Sequence, residues 1–157
     1  MRIRPNTLWR VPVFCAAAGA AVFYLTVYLG RFFIIAETTG ADGTSVVSAD
    51  PLRSALWNGA LFVLVLLAGG LWAFRSMTRW EIAAGAAIFA GADAAVCLLQ
   101  LVAPQLLLPL SLPVSLLQSW TAIATSALAK LTGHLAVSAF LACLAPFLFV
   151  PFGRRSL

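Results

Sequence analysis

The side chains able to move protons or hold cations are few in these 157 residues: five acids, one histidine and three cysteines. Asp93 is the most informative of them, because it is the only charge between Glu81 and Lys130. At the centre of a membrane helix an Asp costs roughly 2.5–3.5 kcal/mol, so such a residue turns inward toward a partner or a watery cavity. Helical spacing (i, i+4, i+7) places Asp93, Cys97 and Gln100 on one stripe, in line with Ala86 and Ala90. Three kinds of chemistry fit a carboxyl so placed. It can bond to a neighbouring helix, bind or relay a proton or cation, or meet a partner subunit.

Other polar groups share the outer half of the same slab. Tyr24, Tyr28 and Arg31 follow the i, i+4, i+7 spacing, Asn58 sits about one turn into its own apolar run, and His134 and Ser138 stand at i and i+4. Were these faces to converge, Asp93, Gln100, His134, Arg31, Tyr28 and Asn58 would form a polar vestibule open to the outside, with Asp93 at its floor. At ~1.5 Å per residue, Asp93 lies roughly 15 Å below the outer end of its helix and His134 about 5 Å below its own. Gln100 is therefore the better match for His134 in depth, and Arg31 snorkels more easily to the interface than down toward the acid.

Signatures of enzymes are missing. Asp93 has no second acid at its depth for aspartyl chemistry, no Gly-x-Ser-x-Gly turn offers a nucleophile, and a lone histidine cannot pair for haem. Walker and dinucleotide fingerprints are absent too. Cys15, Cys97 and Cys143 lie far apart inside apolar runs and read as small buried hydrophobes, so no metal or cofactor is expected.

The elements that must position these residues follow from composition. The chain is 62% hydrophobic and 10% charged, with mean hydropathy +1.00. Soluble domains run nearer 45–50% apolar and about 25% charged, which excludes a soluble globule, a disordered chain and a coiled coil. The net charge of +5 is spread between apolar runs rather than gathered on a face, so no nucleic-acid partner is expected.

A crossing needs about 20 mostly apolar residues, and backbone groups in lipid must bond within their own helix. Charge-free runs of 20, 21 and 23 residues follow Arg10, Arg53 and Lys130. The expected fold is an all-α polytopic transmembrane bundle, one integral-membrane domain over 1–157, with spans at about 11–34, 54–74, 81–102 and 131–150. MRIRPNTLWR resembles the basic start of a signal peptide, but the apolar run behind it is too long and lacks a cleavage site, so a retained first helix is expected.

Seven basic residues (Arg2, Arg4, Arg10, Arg75, Arg79, Arg154, Arg155) fall on one side and three (Arg31, Arg53, Lys130) on the other. Both termini are therefore expected in the cytoplasm. Segment 104–129 carries no charge, but Pro104, Pro109 and Pro113 interrupt its first half. Its second half sets Leu117, Trp120, Ala124 and Leu128 against Ser115, Gln118, Ser119, Thr125 and Ser126. It reads as an external amphipathic helix between spans three and four, with a fifth span as the alternative. The Gly/Ser/Thr/Asp-rich stretch from Glu37 to Pro51 reads as a flexible loop.

The third span repeats small residues every four positions, at Ala83, Ala87, Gly91 and Ala95, with Ala86, Ala90 and Ala94 beside them. Close backbone approach drives helices together in lipid, so this span is expected at the centre, touched on two sides, with Ala17, Gly19 and Ala21 of the first span as a complement. The expected role is a non-enzymatic subunit or scaffold in a bacterial cytoplasmic membrane, packed with itself or with another membrane subunit. The alternatives are a transporter or channel component moving a proton, cation or small solute past Asp93, and a lipid-modifying enzyme of unfamiliar type.

Overall fold

The computed structural model describes residues 5–39 and 45–154. Arg2, Arg4, Asp42 and Arg155, which enter the charge tally, lie outside the described residues, as do the side chains of Glu37 and Lys130. Five helices among the described residues are long and apolar enough to cross a membrane, the make-up of an integral membrane protein. Helix α1 runs over Arg10–Leu25 and continues through a wider turn at Thr26–Gly30 into Arg31–Ile34. Helix α2 covers Pro51–Leu67 and widens over Ala68–Ala73, and α3 covers Arg79–Val102. Short turns at Pro104–Leu107 and Leu108–Leu110 lead into α4, Ser111–Thr132. Helix α5, Leu135–Ala142, tightens into a 3-10 stretch over Ala145–Phe152.

Local chemistry fixes the starts and stops. Asp50 caps α2 by accepting from the backbone N–H of Leu52 (2.8 Å) and Arg53 (3.3 Å), with Pro51 at the first helical position. Thr78 and Glu81 form a capping box on α3. Thr78 Oγ1 accepts from the Glu81 N–H at 3.3 Å, and Glu81 Oε2 accepts from the Thr78 N–H at 2.9 Å. Gly133, at φ 70°, stops α4 in the left-handed conformation that glycine takes freely.

The stretch expected to be a flexible connector is instead paired. Strands β1 (Ile35–Thr39) and β2 (Ser45–Ala49) run antiparallel, with Ile35 opposite Ala49 and Thr39 opposite Ser45. Its β-branched residues Thr38, Thr39, Val46 and Val47 favour extended backbone, and the Asp50 N–H closes the base on Ile34 O at 2.9 Å.

At the opposite end of the bundle, three separate parts of the chain are stitched together. The Arg154 N–H donates to Met77 O at 3.0 Å, and the Arg79 N–H donates to Arg154 O at 3.2 Å. Thr7 Oγ1 donates to Glu81 Oε1 at 3.2 Å, and Arg10 Nη1 to Ser76 Oγ at 3.3 Å. The start of α1 with the residues before it, the α2–α3 connection with the first turn of α3, and the residues after α5 therefore share this seam.

Helix α3 is the most deeply packed of the five and lies against α1 and α5, as its small residues predict. Ala86 and Ala90 are its inward stripe. The parallel stripe behaves differently, since Ala87, Gly91 and Ala95 are exposed and nothing lies within 4 Å of a Cβ built on Gly91. Gly19 does not complement α3. It packs on α4, where a Cβ would collide with the carbonyl oxygen of Leu116.

Helix α4 packs along α1 and α5 and buries Trp120 fully, although it is the least buried of the five apolar helices. Rings gather around Trp120 and Phe149. Phe14, Phe74 and Phe149 meet edge to face with centroids 5.0–5.7 Å apart, and Phe62 and Phe149 lie 6.0 Å from Trp120. Gly69 admits the Phe149 ring, which a side chain there would strike. The Gly69–Gly70 pair thus serves aromatic packing.

Candidate functional site

Three helices bring polar side chains to one point. The capping box sets the start of α3, and helical phase turns Asp93 and Cys97 inward beneath α4 and α5. Asp93 is 1% exposed. Gln118 of α4 donates from Nε2 to Asp93 Oδ1 at 3.0 Å and approaches Cys97 Sγ at 3.5 Å with the same nitrogen. Its Oε1 accepts from Gln100 Nε2 at 3.0 Å. One amide therefore serves as donor to the acid and acceptor from the second glutamine, satisfying a carboxyl that would otherwise be costly in an apolar interior.

Just past the end of α5, Cys143 brings its Sγ to 3.8 Å from Cys97 Sγ and to 3.2 Å from Ala139 O. One ligand atom each from Asp93, Cys97 and Cys143 lies within 4.8 Å of the others, and all three residues are buried. The hydroxyls on the same face of α4 are tied to their own helix: Thr121 donates to Gln118 O at 3.0 Å and Thr125 to Thr121 O at 3.2 Å. A cavity of about 360 Å3 reaches this cluster, lined among others by Asp93, Gln100, Gln118, Thr121 and Ser126. Toward the seam the polar groups give way to the rings around Trp120, whose buried indole N–H has no partner among the described residues.

The residues singled out from sequence divide into two groups. Asp93 and Gln100 join the cluster, and Cys97 joins it as a polar participant. Tyr24 and Tyr28 stack on one another at the exposed surface of α1, and the Arg31 guanidinium lies over the Phe32 ring at 4.8 Å. Asn58 lines a different cavity, shared with Pro51 and Ser54 of α2 and Ser126 of α4. His134 is exposed at the start of α5, where its carbonyl accepts from Ser138 Oγ at 2.8 Å.

Gln118 and Cys143 are the participants that the sequence reading left out of the site. The signal for Gln118 was its place with Thr125 on the polar side of that helix; Gln118 reaches the acid, while Ser115 and Ser126 of the same side stay exposed. Cys97 and Cys143 are 46 residues apart with no Cys-x-x-Cys spacing, so only the packing of α5 on α3 reveals the pair. No protein-family model, curated protein or solved structure matches this chain.

Proposed function

We propose that the chain is a non-enzymatic, multi-pass membrane subunit that assembles with a second copy of itself through the outer face of α3. The observation that carries this reading is the outward stripe Ala87, Gly91 and Ala95, with open space above Gly91. Small residues let two backbones approach closely, which is the main source of helix affinity in lipid. On α3 one such stripe is already used inside the bundle and the other is free for a partner helix.

An even number of crossings, with both termini on the basic side, fits this subunit best. The seam supports it, since the first residue of α1 and the residues after α5 meet the same connection. Helix α4 then does not cross but lies over the bundle, with both of its ends in one half. It is reached from Val102 at the hairpin end of α3. It is left toward Leu135, which lines the Asp93 cavity with Gln100 in the same half of the bundle. Arginine-rich flanks on the seam side suit a bacterial cytoplasmic membrane.

Transport is the second reading, favoured by the cavity that reaches Asp93. The ring cluster beneath Asp93 argues against a pathway through a single copy, because no polar side chain continues the cavity among the described residues of that region.

The assembly reading is tested by mass measurement in mild detergent. The unaltered protein is expected at twice the 16.6 kDa chain mass. Ala87→Ile with Gly91→Ile is expected at one chain mass with its helicity intact. A monomeric unaltered protein, or a dimer indifferent to both substitutions, refutes the proposal.

A further inference from the structure

The geometry points to a soft-cation site, which we propose to be a Zn(II)-class site formed by Cys97 Sγ, Cys143 Sγ and an Asp93 carboxylate oxygen. This goes beyond the assembly reading and does not depend on it. The two sulfur atoms stand 3.8 Å apart. Two Zn–S bonds of about 2.3 Å at a tetrahedral angle span about 3.8 Å between sulfurs, so the pair is already spaced for one shared cation. The carboxylate oxygen completes a triangle in which no two donors exceed 4.8 Å.

The donor set narrows the ligand. Thiolates select soft and borderline metals such as Zn(II) and Cu(I), whereas Mg(II) and Ca(II) take oxygen ligands. Two sulfurs with one carboxylate suit a borderline divalent ion. Three protein donors leave a fourth position for water or a passing ligand, which the adjoining cavity of about 360 Å3 can supply.

Gln118 supports the assignment, because the same Nε2 that donates to Asp93 Oδ1 also approaches Cys97 Sγ. It orients two of the three donors and offsets part of their negative charge. As the two S–metal bonds form, the thiol protons leave to solvent through the cavity, with no change of oxidation state.

Co(II) titration of the purified protein in detergent under a phosphine reductant tests the site. One equivalent per chain is expected to give a thiolate-to-cobalt charge-transfer band in the near ultraviolet, bleached by an equivalent of Zn(II). Cys97→Ser and Cys143→Ser are expected to lose the band. Cys15→Ser is expected to keep it, since Cys15 lies outside the cluster. Gln118→Leu is expected to weaken Co(II) binding about 10- to 100-fold, the usual effect of removing a group that orients a ligand. Absence of the band in the unaltered protein overturns the proposal without reference to any variant. A band lost with Cys15→Ser, or kept by both Cys97→Ser and Cys143→Ser, overturns it as well.

Discussion

Gln118 joins two helices with a single amide, giving a hydrogen to Asp93 and taking one from Gln100. Replacing it by leucine leaves a carboxylate oxygen without its donor in an apolar interior, a loss of about 1–3 kcal/mol. Gln118→Leu is therefore expected to lower the thermal midpoint of the detergent-solubilised protein, followed by circular dichroism. The double variant Asp93→Leu, Gln118→Leu is expected to recover most of that loss, because neither polar partner is then left buried alone. A midpoint for Gln118→Leu equal to that of the unaltered protein would show the bond to be energetically idle. The burial of Asp93 and its shared stripe with Cys97 and Gln100 were legible from spacing alone. The identity of its partner was not, since periodicity sorts residues into faces without saying which neighbour each face meets.

Helix α4 shows the same division one level up. Its length, its break at the prolines and its two-sided character all follow from the residues between Pro104 and Thr132. Its placement follows from something no pattern within α4 contains, the bare backbone of α1 at Gly19, which lies against the Leu116 and Leu117 carbonyls. Gly19→Leu is expected to push α1 and α4 apart. Overpacking alone costs about 1–3 kcal/mol and a backbone obstacle resists relaxation, so loss of the monodisperse species on size exclusion is the outcome to measure. Ala17→Leu, at an exposed neighbour on α1, serves as the control and is expected to stay monodisperse. The hairpin between α1 and α2 was hidden for a related reason. Its strands are five residues each, and their base is closed by the Asp50 N–H on Ile34 O, a contact that no pattern of side chains announces.

For the molecule as a whole, the seam and the hairpin define two ends that labelling can tell apart. Cysteines placed at Ser76 and Ser156 are expected to react with an impermeant maleimide only after the cytoplasmic side is opened, and one at Ser48 from the outside of intact cells. The native cysteines are buried and give little background. Reaction of Ser156 with Ser48 rather than with Ser76 would make the number of crossings odd. Four of the five apolar helices and the bias of arginine were legible before any coordinates, because lipid imposes both on composition, whereas 104–129 read first as an external amphipathic helix. The meeting of Arg154 with Met77 was not, since it rests on backbone groups that every residue carries. The rings around Trp120 carry a further consequence for biogenesis. A ribosome delivers Phe14, Phe62, Phe74, Phe89 and Trp120 before Phe149, so the earlier segments must wait in the bilayer with a vacancy where that last ring belongs. Closure of the interior is thus a late step, coupled to insertion of α5, and a nascent chain stalled ahead of it presents an unfilled aromatic socket to whatever insertase or quality-control factor is holding it.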